Sequence, residues 1–421
     1  MTSGHRFFWL SALFGSLALI FASCGRGATE PLPGAGSELS TANTIDQAES
    51  TIDLRVLPGF DAVLFASGLH HPTSMAMGPD GNLYVGQQNG KILSVSDSDG
   101  DGVGDTQTVY ATGLGLTLGI AFVGEDLYVS HRRKVTRLAD TDGDGVSDVQ
   151  TDIITDLPVG GEDHQHVQNN GITLGADGFL YVSIGIDIET GEEQESSSDR
   201  GQPQAGSDSA SDHSQREEGR LGLGVTVVGL GVPDARSGTI TRFRPDGSEQ
   251  EIYATGFKNP LGITFDSDGN LFATDNAPHN PDGPDELNLV LQGANYGYPN
   301  RPGGQNNAGT VPVVAELEVA STNGMAFYYG DQFPEEYRGD VFIAQWGSQR
   351  GQPASSNKVV RVILERTDDR FTGTASTFAV GFEHPLTTLV GPDGSLFVAD
   401  WGSLNPEDPY QGAIYRIFYE P

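Results

Sequence analysis

Two nine-residue stretches carry the densest set of ligand-type side chains in the sequence, DSDGDGVGD at 97–105 and DTDGDGVSD at 140–148. Asp97, Asp99, Asp101 and Asp105 in the first, and Asp140, Asp142, Asp144 and Asp148 in the second, bring several carboxylates around one point. A central Gly allows the sharp bend, and an acidic, all-oxygen donor set suits the hard Ca2+ ion. The twelfth position is Thr108 in one and Thr151 in the other, where an EF-hand has Glu. These are therefore the shorter type of calcium loop, with a structural role expected rather than a catalytic one. The plainer alternative is a solvated Asp-Gly turn, which a matched pair of loops disfavours.

A second cluster, EDHQHVQNN at 162–170, places His164 and His166 among amide side chains just ahead of a strand. A neutral imidazole accepts a hydroxyl proton near pH 7, so His166, with His164 as the alternative, is a candidate general base. The plain reading of either residue is a surface histidine. The third cluster is GFKNPLGITFDSDGNLFATDNAPHNPDGPDELN at 256–288, where two polar loops rich in Asn, Asp and Pro flank a strand pair.

The elements that must position these clusters repeat. A Pro or Gly, an alternating apolar strand, a turn of the Asp-Gly kind and a strand of the form L-Y-V recur six times. Matching positions Leu83, Leu127, Leu180, Leu271, Val341 and Leu396 lie 44, 53, 91, 70 and 55 residues apart. Propeller blades take about 40–50 residues, so the shortest interval fits a bare blade and the longer ones a blade with insertions. KILSVS, KVTRLA, GTITRFRP and KVVRVIL supply further strands, and no long helical periodicity intervenes. The sequence predicts an all-β, six-bladed β-propeller of four-stranded antiparallel blades over 54–421. It also predicts a short helix near Pro334 and closure of the last strand, GAIYRIFY, against blade one.

Composition agrees: 57 glycines supply the turns. A formal net charge of −34 excludes nucleic acid and anionic lipid as partners. Residues 1–24 read as a signal peptide, with Arg6 ahead of the apolar run FFWLSALFGSLALIF. Cys24, the single cysteine, follows F-A-S as in a bacterial lipobox, so lipid anchoring of a periplasmic or cell-surface protein is expected. Residues 25–53 read as a flexible linker and 187–235 as a largely disordered acidic insertion.

The run G-x-K-N-P-x-G at 256–262, D-E-L-N-L at 285–289 and N-Y-G-Y-P at 295–299 resembles the soluble quinoprotein glucose/sorbosone dehydrogenase family. The doubled Asp-rich loops also resemble a bacterial propeller subgroup of membrane-bound dehydrogenases. The family resemblance implies pyrroloquinoline quinone (PQQ) and Ca2+ as cofactors, hydride transfer from a small-molecule sugar or polyol, and a His base matched best by His166. It implies cofactor contacts at Lys258 and Asn259, calcium ligation by the carbonyls of Ala277 and Pro278, and Asp285 in the same turn. Lys258 stands where the family has Arg, and His384 and Leu386 stand where it has cofactor-pairing basic residues. No C-x-x-C-H haem site is present, so an external electron acceptor is implied. The alternatives are a Ca2+-dependent lactonase-type hydrolase, with Asp275, Asn276 and Asp400 as metal candidates, or a non-catalytic binding propeller.

Overall fold

The computed structural model describes residues 53–158, 169–186, 234–276, 284–298, 313–347, 356–368, 370–404 and 412–421. It also describes the backbone alone of Ser40–Thr41, Ile45–Gln47, Ser50–Ile52 and Asn169. Six four-stranded antiparallel blades follow one another in chain order. Blade one is Pro72–Met77, Leu83–Gln87, Ile92–Ser96 and Thr106–Ala111. Blade two is Thr117–Val123, Asp126–His131, Lys134–Ala139 and Val149–Ile154. Blade three is Asn169–Leu174, Leu180–Ile184, Thr239–Phe243 and Glu251–Thr255. Blade four is Pro260–Phe265, Leu271–Asp275, Asp285–Val290 and Val313–Leu317. Blade five is Thr322–Phe327, Val341–Gln345, Lys358–Thr367 and Arg370–Val380. A single 3-10 turn, Glu335–Tyr337, stands between the first two strands of blade five.

Blade six is Pro385–Val390, Leu396–Asp400 and Ala413–Tyr419, completed at its outer edge by Phe60–Ala66 from the start of the chain. Closure therefore differs from the sequence reading. The C-terminal strand does not close on blade one; it pairs with the segment that precedes blade one. Part of the stretch read as a linker also pairs, because Ser40–Thr41 lies against Arg55–Val56, which in turn extends blade five.

The first strands of all six blades contact one another in a closed ring. That crowding explains the Gly in the repeat. A Cβ at Gly119, Gly171 or Gly262 would sit 2.5–2.7 Å from the carbonyl oxygen of Asn170, Leu261 or Asn323 on the next blade's inner strand. Only a residue without a Cβ lets the backbones approach this closely.

Alternate residues of each strand point to opposite sheet faces, so each blade buries one row against each neighbour. The result is six apolar clusters, one at every blade–blade interface. At the closure Phe60 meets Phe333, Phe378, Tyr419 and Tyr337 with ring centroids 4.8, 5.0, 5.1 and 5.3 Å away. Burying one Phe is worth roughly 1.5–3 kcal/mol, and each aromatic pair adds about 0.5–1.5 kcal/mol. This single residue anchors the strand that shuts the ring.

Candidate functional site

One register recurs at one end of every blade. The first residue of the inner strand lies opposite the last residue of the second: Pro72 with Gln87, Thr117 with His131, Asn169 with Ile184, Pro260 with Asp275, Thr322 with Gln345 and Pro385 with Asp400. A register shift follows immediately in each case. Such bulges bend the strand and re-aim its side chains. The links between blades and the links from second to third strands therefore share this end, and Lys258 and Asn259 lie on it together with Asp275 and Asn276.

Asp275 organises that corner. It is 1% exposed, and its carboxylate accepts the backbone N–H of Lys258 at 3.0 Å and of Asn259 at 2.8 Å. Burial pushes its carboxyl up to about 8, against the pull of those two N–H groups. Asp400 repeats the arrangement in blade six, accepting from Glu383, His384 and Gly402 at 2.9, 2.7 and 3.2 Å. Burial raises its carboxyl as well. In blade one the same slot is Gln87, whose Oε1 accepts the His70 N–H at 2.6 Å. Asp275 and Asp400 thus hold strand starts, and this commitment to backbone speaks against a central ion held by their side chains.

Segments far apart in sequence support Lys258 and Asn259. Residues 291–298 leave the third strand of blade four and run beside the outer strand of blade three, where Asn295 bridges Thr255 in parallel. Tyr296 donates its N–H to Thr255 at 2.9 Å, Tyr298 donates to Gly256 at 2.8 Å, and the Tyr296 ring stacks on Phe257 at 4.3 Å. Gly256 has φ 81° and faces Asn295 so closely that a Cβ would lie 2.3 Å from Asn295 Oδ1. The two motif fragments, G-F-K-N-P and N-Y-G-Y-P, are thus one packed unit.

Around the same end runs a belt of polar and aromatic contacts. Asn170 Nδ2 donates to Asn259 Oδ1 at 3.1 Å, so Asn259 presents Nδ2 as a donor. Asn276 Nδ2 donates to Ser321 Oγ at 2.7 Å. Trp346 packs on His384 at 4.6 Å and on Trp401 at 5.3 Å, and Trp401 stacks on His71 at 4.8 Å. His71 Nδ1 lies 2.9 Å from the Trp401 carbonyl and His384 Nδ1 lies 2.8 Å from that of Gly402. A carbonyl only accepts, so both Nδ1 atoms carry a proton and donate. His71 and Ser321 hold φ of 51° and 54°, values that non-glycine residues rarely adopt and that cluster at functional sites. Arg132 and Arg133 lie exposed in the blade-two link at this end.

Sequence reasoning passed over His71, Trp346 and Trp401. The available signal was positional: His71-Pro72, Asn259-Pro260 and His384-Pro385 fill one slot of the repeat, and Gln345-Trp346-Gly347 and Asp400-Trp401-Gly402 fill another.

Other predicted residues lie elsewhere. Asp285 is fully buried, and its Oδ2 accepts the Thr322 N–H at 2.6 Å, so it braces the start of blade five. Its reading as a calcium ligand rests on its place in the turn after blade four's second strand. The two Asp-rich loops join third to fourth strands and so lie at the opposite end of the propeller. Asp97 accepts Gly100 and Gly102 N–H groups at 2.8 and 2.9 Å, and Asp140 accepts Gly143 and Gly145 at 2.7 and 2.8 Å, so the loops share one conformation. Oxygens of Asp97, Asp99 and Asp101 lie within 4.8 Å of one another, as do those of Asp140, Asp142 and Asp148. The N–H groups, Gly145 foremost, lower the Asp140 carboxyl below its usual range. Asp101, Asp105 and Asp144 bond to the backbone of their own loops or to a neighbouring hydroxyl. His164, His166, Ala277, Pro278 and Cys24 lie outside the described residues.

A family model described as a domain of unknown function, DUF7133, matches residues 46–227 and 216–409. The chain belongs to the DUF7133 family. Quinoprotein glucose dehydrogenase B of Acinetobacter calcoaceticus is 25% identical over 284 residues, 59% of this chain and 54% of that protein. Aldose sugar dehydrogenase YliI of Escherichia coli K12 is 28% identical over 169 residues, 37% of this chain and 42% of that protein. The chain thus spans about half the length of the curated relatives it matches. The PQQ-bound aldose sugar dehydrogenase of Streptomyces coelicolor superposes with a TM-score of 0.60 at 19% identity, over 87% of this chain and 97% of its own. This last likeness is one of fold.

Proposed function

We propose that this DUF7133 protein is an exported, lipid-anchored oxidoreductase of the quinoprotein type that oxidises a hydroxyl of a small sugar or polyol. The observation that carries the reading is the packed corner of Gly256–Asn259, Asp275 and Tyr296, which faces the same end of the propeller as the aromatic and histidine belt. The sugar-dehydrogenase relatives support the class of reaction.

The donor set suits a flat, anionic quinone. The Lys258 ammonium and Asn259 Nδ2 point to acceptor oxygens, Arg132 and Arg133 add positive charge, and the Trp faces suit planar or ring-shaped ligands. In this proposal Lys258 and Asn259 hold PQQ, and the carbonyls of Ala277 and Pro278 hold a Ca2+ ion beside it. When bound, the quinone supplies a two-electron acceptor whose carbonyl the ion polarises. The protein's share is binding, orientation and proton removal. Asp275 fixes the backbone that carries Lys258 and Asn259. Trp346 and Trp401 cover the neighbouring surface and exclude water from a bound sugar ring. His166, or His164 in its place, accepts the hydroxyl proton. Electrons leave to an external acceptor. Export and anchoring through Cys24 complete the proposal, and the two Asp-rich loops act as structural Ca2+ sites.

The test is titration of the purified protein with PQQ and Ca2+, followed by dye reduction with a panel of aldoses and polyols. Saturable quinone binding with sugar-dependent turnover, lost in His166→Ala while the fold is retained, is the expected result. Absence of quinone binding overturns the reading, and lactone hydrolysis in its place would favour the hydrolase.

A further inference from the structure

The start of each inner strand carries a slot to which the proposed chemistry assigns no role. The bulge there takes Thr73, Leu118, Asn170, Leu261, Asn323 and Leu386 out of register in blades one to six. Polar residues fill the slot in the odd-numbered blades and leucine in the even ones. In blade three Asn170 turns its Nδ2 to the start of the next blade, where Asn259 Oδ1 and the Pro260 carbonyl accept it at 3.1 and 2.7 Å.

Asn323 is the same residue type in the same slot of blade five, and it is 3% exposed. Neither polar atom of its side-chain amide has a hydrogen-bond partner among the described residues. The next blade opens with His384 and Pro385 in place of Asn259 and Pro260. The His384 ring is turned elsewhere, with Nδ1 donating to the Gly402 carbonyl at 2.8 Å and its face on Trp346 at 4.6 Å. The Asn323 amide thus keeps two donor hydrogens and an acceptor oxygen unmet, a state that buried polar groups rarely hold without a ligand or water.

The backbone that carries this amide is fixed from both sides. The Asn323 carbonyl accepts Thr274 Oγ1 of blade four at 2.8 Å, and Gly324 lies so close to blade six that a Cβ would come within 2.2 Å of Thr387 Oγ1. Two residues earlier, Ser321 joins the two parts of the site. Its Oγ accepts Asn276 Nδ2 at 2.7 Å, and its carbonyl accepts the Trp346 N–H at 3.1 Å. Asn323 therefore stands on a rigid element between the Lys258–Asn259 corner and the tryptophan belt.

We propose that Asn323 binds a hydroxyl of the substrate, beside Trp346 at the junction of blades five and six. This rests on the sugar or polyol reading and adds to it a residue that selects for a hydroxyl. The chemistry of the amide points that way. A quinone or carboxylate oxygen only accepts, so it would leave Oδ1 unmet, and a metal ion would leave Nδ2 unmet. A hydroxyl donates and accepts, as the amide does. The leucines in this slot of blades two, four and six show that the fold itself requires no polar group here.

Full-length protein is titrated with aldoses and polyols, with and without PQQ and Ca2+, and binding is followed by tryptophan fluorescence. Asn323→Leu should keep or raise Tm and weaken binding of the tightest ligand about tenfold or more, the usual effect of losing one or two hydrogen bonds. One monodeoxy analogue of that ligand, lacking the hydroxyl concerned, should bind wild type and Asn323→Leu equally. A purely structural residue would instead lower Tm and leave sugar affinity unchanged. Equal affinity of wild type and variant for every sugar overturns the proposal and means that only water meets the amide. A loss confined to PQQ binding overturns it as well. Failure of wild type to bind any sugar or polyol in either state overturns it together with the substrate class. Sugar binding that depends on Asn323 and needs no quinone supports the proposal and overturns the quinoprotein reading alone. Should Asn323→Leu fail to fold, Asn323→Ser decides by the same two comparisons.

Discussion

His131 should make the propeller acid-sensitive, and replacing it with Gln should remove that sensitivity. The ring is buried at the end of the second strand of blade two. Its Nδ1 accepts the Gly115 N–H at 3.1 Å, so Nε2 carries the proton and donates to Thr136 Oγ1 at 2.7 Å. Thr136 then donates to Asp152 Oδ1 at 2.8 Å, and Asp152 pairs with Lys134 at 2.6 Å. Protonating Nδ1 would break the first bond and set two donors face to face. Burial, opposed by Asp152, lowers the imidazolium from 6.5 to about 4. At roughly 1.4 kcal/mol for each tenfold change in proton affinity, that is about 3 kcal/mol. The folded ring binds a proton less readily than the unfolded one, so this stability is complete above pH 6.5 and is lost as the pH falls toward 4. Gln87 and Gln345 occupy the same slot in blades one and five, so His131→Gln fits the register and keeps an acceptor for Gly115. Urea unfolding of both proteins at several pH values from about 7 to about 4 measures the difference, in which the many carboxylates cancel. The variant should lose about 3 kcal/mol less than wild type over that range. Parallel profiles would refute the argument and show that the ring is either hydrated or already charged in the fold.

Gly256→Ala should lower Tm and, if the proposed function holds, weaken PQQ binding. Its Cβ would meet Asn295 Oδ1 at 2.3 Å at a φ of 81°, and strain of this type costs about 1–3 kcal/mol. Asp140→Ala removes the acceptor of two backbone N–H groups, so it should lower Tm by a few degrees in Ca2+ and, if the proposed function holds, leave dye reduction unchanged. Trp401→Ala removes the surface on which His71 stacks; if the proposed function holds and the sugar ring stacks on the same indole, the lost aromatic contact of about 0.5–1.5 kcal/mol should raise the sugar KM by up to about tenfold.

The blades were legible because their cause is local. Alternation recurs in every copy, Asp-Gly turns and the inner-strand Gly recur in most, and each is fixed by neighbours along one strand or across one hairpin. The Asp275 and Asp400 slot could also be read, by aligning LFATD with LFVAD. The belt at the strand-start end could not. His71 and Trp401 are 330 residues apart, and their contact exists only because the chain closes on itself. That closure depends on Phe60–Ala66, a strand outside the repeat that nothing in its own pattern assigns to blade six. The setting of Asp285 has a different source. Spacing placed a carboxylate in the right turn, but its direction was set by the Thr322 N–H of the next blade.

The topology separates two tasks. Links between blades and links from second to third strands meet at one end, where the strained His71 and Ser321, the tryptophans and Lys258–Asn259 gather. Links from third to fourth strands meet at the other, where the acidic loops lie. Most substitutions at one end should therefore leave the other untouched, since four-stranded sheets buried on both faces stand between. Residues 291–298 are the exception. They begin at the far end, where Gln292 Nε2 donates to Glu251 Oε1 at 3.3 Å, and finish beside Gly256, where Tyr298 bonds its carbonyl. The segment runs along the edge of blade three. Displacing it has a direct physical route to Lys258 and Asn259 through Phe257, on which the Tyr296 ring stacks. A change at Tyr296 should thus reach Lys258 and Asn259, and a change in the acidic loops should not.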